Sequence, residues 1–302
     1  MTWKRVRDHA AGRQRLLRVA DFLGRGRGRM RFLDHVCDMP PAPLKPDLSR
    51  WHEQSLGAAW LGHATVLLRV GGMTILTDPV LGNRVGVGLG LMTGGPRRLV
   101  APALTRRELP PIDLILLSHA HFDHLDRPTL ARLPKRAEVV TAAQTGDLTR
   151  DLGFSRVTEL GWGESVKVGP LVITAQQVRH WGARTMYDRH RGYNAYLIEA
   201  PKHRVLYGGD SAYCDYFRGL GPVDLAILGI GGYDPYEMAH ATPEQAWEMA
   251  KHARARHVVP MHHSTFRLSR EPSGEAIRRL LVAAGDEAER VVVRQLGGQW
   301  SA

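Results

Sequence analysis

The fold is decided by one stretch, Ile112-Asp113-Leu114-Ile115-Leu116-Leu117-Ser118-His119-Ala120-His121-Phe122-Asp123-His124-Leu125-Asp126. Its first half is an apolar run of strand length, and its second half reads H-x-H-x-D-H. The period of two in extended backbone puts His119 and His121 on one side. Asp123 and His124 then follow on the turn that leaves the strand. Three imidazoles and one carboxylate thus gather at a strand's end, a donor set suited to zinc, iron or manganese. Two such ions about 3.5–4 Å apart form a hydrolytic clamp.

Upstream of this stretch the sequence reads as strands. Residues 58–61 and 65–70 are extended, Gly71-Gly72 makes a hairpin turn, and residues 73–77 return and end in Asp78. The same order recurs downstream. Residues 193–199 run out, Pro201-Lys202-His203 turns, residues 204–207 return, and Gly208-Gly209-Asp210 follows. The two glycines before Asp210 allow close backbone approach. The parallel predicts two facing halves, each delivering an aspartate from a strand end.

Between and beyond these hairpins, residues 81–108 are rich in Gly and Arg and read as a long loop over the site, with Arg84, Arg97 and Arg98 as candidate phosphate contacts. Helices are expected at 128–133 and 144–152, and a strand at 138–141. A hairpin is expected at 164–168 and 171–176, leading to His180. Residues 223–228 form another buried strand. Thr242-Pro243-Glu244-Gln245 is a helix start with a Thr cap, Pro in the first turn and Gln three residues on; His240 lies just before it. Residues 257–260 are a strand ending in Met261-His262-His263. A helix at 273–284, closed by Gly285, and a strand at 291–293 complete the pattern.

Composition sets limits. The chain has 302 residues, 43% hydrophobic and 24% charged, ordinary values for a globular protein. Its two cysteines, Cys37 and Cys214, are far apart and give no disulfide framework. No apolar run approaches the roughly 20 residues that span a bilayer, and the first 30 residues lack a continuous apolar signal core. A cytoplasmic location is expected. Of the net charge of +11, +7 lies in residues 1–50, which hold 12 Lys+Arg against 5 Asp+Glu. The charge therefore describes an N-terminal arm rather than the body. Within it Leu16, Val19, Ala20 and Leu23 recur at helical spacing beside Arg13, Arg15 and Arg18, the pattern of a basic amphipathic helix suited to the inner face of an anionic membrane. A Pro-rich run at 40–46 connects the arm to a body at 51–302.

These motifs resemble the metallo-β-lactamase superfamily and, within it, the N-acyl-phosphatidylethanolamine-hydrolysing phospholipase D family. The resemblance rests on Trp60-Leu61-Gly62-His63-Ala64-Thr65, Leu76-Thr77-Asp78-Pro79, Gly95-Pro96-Arg97-Arg98, Leu109-Pro110-Pro111-Ile112-Asp113 and the stretch from Ser118 to Asp126. It implies an α/β fold, the four-layer αβ/βα sandwich, with metals at one edge. It implies two divalent ions, zinc first, with iron or manganese as the other choices. One ion would take His119, His121 and His180, the other Asp123, His124 and His262, with Asp210 touching both. The pattern Pro-x-His-x-x-Thr-Phe aligns His262, not His263, with the last ligand. Asp78 would support the ligands from behind, and His63 would either do the same or be a buried structural residue. Asp123 would also help hold the attacking water, and His240 would face a substrate phosphate at the mouth.

The activity so implied is phospholipase D-like hydrolysis of a phospholipid or other small phosphodiester. Another hydrolase of the same fold, a sugar-phosphate lactonase or a nuclease, is the alternative. A non-enzymatic lipid or nucleic-acid binder is the third reading. A nucleic-acid substrate is disfavoured, because the basic charge sits at one end and no second domain is evident. Homo-oligomers are compatible with everything above.

Overall fold

The computed structural model describes residues 39–89 and 92–302. The amphipathic segment expected at 16–23 lies outside the described residues. The first sheet is built from the hairpins read above. β1 (Leu56–Gly62), β2 (Thr65–Val70) and β3 (Met73–Thr77) form an antiparallel meander. The Gly71-Gly72 turn has φ of 56° and 77°, the left-handed pair that a two-residue hairpin loop requires. After the hairpin β4 (Val87–Leu89) and β5 (Met92–Gly94), the chain enters β6 (Leu114–Leu117), which pairs parallel with β3. β7 (Glu138–Ala142) and β8 (Arg156–Leu160) extend the sheet in parallel.

The second sheet follows. β9 (Ser165–Val168), β10 (Leu171–Gln176), β11 (Ala195–Glu199) and β12 (Arg204–Tyr207) are antiparallel, and β13 (Leu225–Gly229) and β14 (His257–Met261) add in parallel. A last strand, β15 (Gln299–Ser301), returns to pair with β1. The sheet orders are β15-β1-β2-β3-β6-β7-β8 and β14-β13-β12-β11-β10-β9. Four α-helices are described: α1 (Arg127–Arg132), α2 (Asp147–Arg150), α3 (Pro243–His252) and α4 (Glu275–Ala284).

Alternation along the second sheet divides its side chains between two cores. Tyr196, Ile198, Val205, Tyr207, Leu225, Ile227, Val259 and Met261 join the first sheet's Leu68, Ile75 and Leu116 in the layer between the sheets. Their neighbours Ala195, Leu197, Leu206, Ala226, Leu228 and Val258 face the other way and pack with Trp247 and Ala250 of α3 and Leu280 of α4. Each face of the strands is thus buried, the pattern expected of a sheet covered on both sides. The αβ/βα sandwich is the architecture that results. α3 begins with the expected capping box: Thr242 accepts from the Gln245 N–H, and Gln245 accepts from the Thr242 N–H.

Several boundaries differ from the sequence expectation, each for a physical reason. Residues 81–108 are not one irregular loop. They contain β4 and β5, and bridges from Arg84 to Arg97 and from Arg98 to Phe266. The helix expected at 144–152 shrinks to α2, because Gln144 takes left-handed backbone (φ 57°) as the chain leaves β7. Residues 291–293 make only a bridge, Val291 to Val258, and the closing strand is β15. The Pro-rich connector is extended as expected and lies on the body. Ala101 N–H donates to Pro40 O at 2.9 Å, Leu44 N–H to Leu296 O at 3.2 Å, and Lys45 pairs with Glu108. Among the described residues no helix is long and apolar enough to cross a membrane.

Candidate metal centre

All the candidate ligands leave strand ends on one edge of the sandwich. His119 and His121 follow β6, and their ring nitrogens converge as the period of two requires. His119 Nε2 lies 2.8 Å from His121 Nδ1, and His180 Nε2, beyond β10, lies 3.3 Å from the same atom. His180 Nδ1 is 3.0 Å from Ala239 O and can only donate there, which leaves Nε2 with a lone pair facing the cluster. Ser118 Oγ sits 2.8 Å from His119 Nδ1 and fixes that ring from behind.

A second cluster adjoins the first. His124 Nε2 and His262 Nε2 lie 3.0 and 3.1 Å from Asp210 Oδ2, and 3.6 and 3.5 Å from Asp123 Oδ2. Asp210 Oδ2 is also 3.9 Å from His180 Nε2, so one carboxylate oxygen stands between the two groups of histidines. Gly209 makes this approach feasible. Its φ is +55°, and a Cβ there would lie 2.7 Å from Asn194 O and 2.8 Å from Ser118 Cβ. His63 Nε2 lies 2.8 Å from Asp123 Oδ2, and its ring tilts against His262 at 4.1 Å. His240 stands at the edge, with Nδ1 3.7 Å from Asp210 Oδ2 and its ring stacked on His262 at 5.1 Å.

Two observations fit divalent cations to these residues. His124 Nε2, His262 Nε2 and Asp210 Oδ1 are buried and make no hydrogen bond, which is costly unless something else meets them. The electrostatics agree. Burial opposes charge on His124, yet Asp210, Asp123 and Asp78 raise its pKa well above the usual value; His262, buried beside Asp210 and Asp123, is raised to about 9. Burial likewise works against ionised Asp123 and Asp210, but the facing histidines hold both well below the carboxylate range. The carboxylates thus demand positive charge between the rings, and a cation can supply it in place of ring protons. In the first cluster burial keeps His119 and His180 far below their usual pKa, in the neutral form that binds metals.

The supports are more extensive than the sequence suggested. Asp78 is fully buried and accepts from Ser118 N–H at 2.7 Å, Ser118 Oγ at 2.5 Å, Tyr207 OH at 2.6 Å and His124 Nδ1 at 2.6 Å. Carboxylates behind ligand imidazoles orient them and fix their tautomer. Arg184, which sequence reasoning passed over, donates to Ala120 O at 2.9 Å and Leu125 O at 2.8 Å while lying over the Phe122 ring at 3.9 Å. It clamps both ends of the H-x-H-x-D-H turn. Its signal is weak in sequence because its partners are backbone carbonyls. His63, Asp78 and His262 all adopt left-handed backbone, with φ of 52°, 29° and 63°, a conformation that non-glycine residues rarely take outside functional sites.

Arg84 and Arg98 behave differently from expectation. Arg98 is buried and donates to Gly82 O at 3.0 Å and Val80 O at 2.5 Å, so it braces the loop rather than facing a phosphate. Arg84 donates to Gly95 O at 2.9 Å within the same ribbon. His263 turns away from the metal-ligating atoms and stacks on Trp60.

Residues 73–263 match the family model described as a beta-lactamase superfamily domain. An uncharacterized protein of Mycobacterium tuberculosis is 33% identical over 274 residues, covering 86% of this chain and 73% of that one. The N-acyl-phosphatidylethanolamine-hydrolyzing phospholipase D 1 of Caenorhabditis elegans is 33% identical over 235 residues, 71% of this chain and 65% of that protein. The crystal structure of a possible metal-dependent hydrolase from Veillonella parvula has the same fold, with a TM-score of 0.67 at 16% identity over 82% of this chain and 100% of that one.

Proposed function

The chain belongs to the β-lactamase superfamily of metal-dependent hydrolases, and within it we propose a binuclear phosphodiesterase, phospholipase D-like, acting on N-acyl-phosphatidylethanolamine-type lipids. The observation that carries this reading is the position of Asp210 Oδ2, 3.0 and 3.1 Å from His124 and His262 and 3.9 Å from His180. One carboxylate so placed suits two ions, zinc first; His119, His121 and His180 would hold one, and Asp123, His124 and His262 the other. Divalent ions there would lower the pKa of a water toward neutrality and offset charge on a phosphoryl group.

The chain's own residues do the rest. Asp123, held by His63, orients the attacking water. Asp78 and Ser118 keep His124 and His119 in register. His240, drawn down to about 4 by burial despite the opposing pull of Asp210, is neutral at pH 7 and hydrogen-bonds a phosphoryl oxygen. Water adds to phosphorus as the bond to the alcohol oxygen breaks, and the products are a phosphate monoester and the free alcohol. The similarity to the nematode enzyme supports the lipid class. The charge surplus of residues 1–50 supports contact with an anionic leaflet, which attracts on the order of 1 kcal/mol per basic residue.

The test is a substrate panel. Metal-loaded protein is given a phospholipid diester, a sugar-phosphate lactone, a β-lactam and an RNA. The proposal expects release of alcohol from the phospholipid diester. Turnover of the lactone or RNA without the diester would overturn it in favour of another hydrolase of this fold.

A further inference from the structure

Beside the second cluster the molecule carries two adjoining chambers that no residue of the proposed chemistry explains. The inner one, of about 260 Å³, is bordered by His262 and Gly232 toward the metal-ligating atoms and by Phe266, Leu268, Pro272 and Ala276 farther out. Gly232 itself abuts the His240 ring, since a Cβ there would lie 3.1 Å from His240 Nδ1. The outer chamber, of about 400 Å³, lies among Pro43, Trp60, Val100, Ile277 and Leu296. Leu99, His263, Ser264 and Ser273 line both. Together the chambers run from the last ligand histidine to the Pro-rich strap, and each is on the scale of a small-molecule subsite.

His263 stands at the junction. Its ring stacks on Trp60 at 4.5 Å, and its Nδ1 is 3.0 Å from Ser264 Oγ. Its Nε2 is buried and has no hydrogen-bond partner. A buried ring nitrogen left unpaired weakens the fold, and a ligand group that meets it recovers the loss. Three charged side chains line the walls: Arg267 on the inner chamber, and Glu271 and Arg294, which are engaged by the backbone. Glu271 accepts from the Gly232 N–H at 2.5 Å, and Arg294 donates to Val291 O at 3.0 Å and Ala288 O at 2.6 Å. At the junction, then, the chambers offer one hydrogen-bonding imidazole, with an apolar recess beyond it.

Resting on the phosphodiesterase reading above, we propose that these chambers take the acyl-amide arm of the substrate. The amide meets His263 Nε2 at the junction, and the aliphatic chain lies in the outer chamber between Trp60, Leu99, Ile277 and Leu296. His263 is then a specificity-determining residue that selects for a hydrogen-bonding group at a fixed distance from the phosphorus. The arrangement also explains why the last strand's histidine pair divides its labour, one ring to the metal-ligating cluster and the other to the chamber behind it.

Isothermal titration of the metal-loaded full chain with N-decanoylethanolamine tests this. Two variants accompany it. His263→Phe keeps a ring on Trp60 and removes the nitrogen, and Leu99→Trp fills the junction from a side chain already 41% exposed, where the fold is least at risk. Metal content and thermal midpoint are measured on every sample. The proposal expects saturable binding by the parent and at least tenfold weaker binding by both variants at unchanged metal content. It also expects decane-1,2-diol, which lacks the amide, to bind less tightly than the amide to the parent and to lose no affinity in His263→Phe. No binding by the parent, or undiminished binding by both variants, overturns it. The two proposals fail separately. Amide binding without diester hydrolysis removes the phosphodiesterase and keeps the chamber. Hydrolysis of a short-chain diester without amide binding removes the chamber alone.

Discussion

Asp78 and Asp210 occupy matching places in the two halves of the molecule, each just past the second strand of a hairpin, and their surroundings are opposite. Asp78 is saturated, with donors on both oxygens from Ser118, Tyr207 and His124. Asp210 keeps one oxygen without a hydrogen bond and turns the other to the ring nitrogens of His124, His262 and His180. The sequence parallel thus specifies where a carboxylate arrives but not what it does. The partners decide: a carboxylate met by three hydrogen-bonding side chains holds the fold and a ligand ring, and one met only by imidazoles is left for cations. Tyr207, from the second sheet, reaches across to Asp78 of the first, so the saturated aspartate also ties the halves together.

The largest effect should come from breaking the unsaturated member. Asp210→Asn should lower hydrolysis by about a thousandfold, the scale of losing a group the transition state depends on, with little loss of secondary structure by circular dichroism. A variant that keeps more than a tenth of the activity would remove Asp210 from the site. His262→Ala should act similarly and lower the metal content, whereas His263→Ala should leave metal content unchanged. The reverse order would shift the ligand by one residue.

Asp78→Asn should divide its effect differently. Metal affinity should fall about 10–100-fold, as for partners that orient ligands, and denaturant unfolding should show a loss of roughly 2–4 kcal/mol from the disrupted buried network. If Asp78→Asn lowers activity with no cost in stability, the contrast between the two aspartates is lost. Tyr207→Phe removes one donor from the same carboxylate and should cost about 1 kcal/mol.

The smallest effect lies at the strap. Lys45 and the Thr105 backbone and hydroxyl hold Glu108 down to about 2. A carboxylate with a lowered folded pKa contributes stability that is present above its unfolded value, near 4.5, and fades as pH falls toward 2. Lys45→Met should therefore cost under about 1 kcal/mol at pH 6, since the pair is solvent-exposed, and its effect should shrink by pH 3. Thermal melts of both proteins at the two pH values check this, and a difference that grows toward pH 3 would mean the pair is not its source.

Much of this is legible in the sequence. β2, β3, β10 and β12 have the expected bounds because Gly or Pro turns punctuate clear apolar runs. The His and Asp side chains that gather in the two clusters are legible because strand ends deliver them. What failed did so where tertiary pairing outweighs local pattern. β8 reads Arg-Val-Thr-Glu-Leu, a polar strand at the sheet's edge with no apolar run to mark it. β15 has three residues and exists because Gly57 and Ala59 offer an open edge to pair with. His63 could not be separated from a structural histidine until Asp123 stood 2.8 Å away. Arg184 left no trace in the sequence, since the carbonyls it holds lie 59 and 64 residues earlier. Arg84 and Arg98 depart from expectation for the converse reason, as their charged side chains are taken up by backbone carbonyls nearby.

The central claim is that one oxygen of Asp210 is shared by two cation sites. Elemental analysis of the protein purified without chelator, beside Asp210→Asn, tests it most directly. The account predicts close to two equivalents of zinc, iron or manganese per chain, and one or fewer in the variant. A parent protein that holds at most one equivalent, with no increase on added metal, would contradict it.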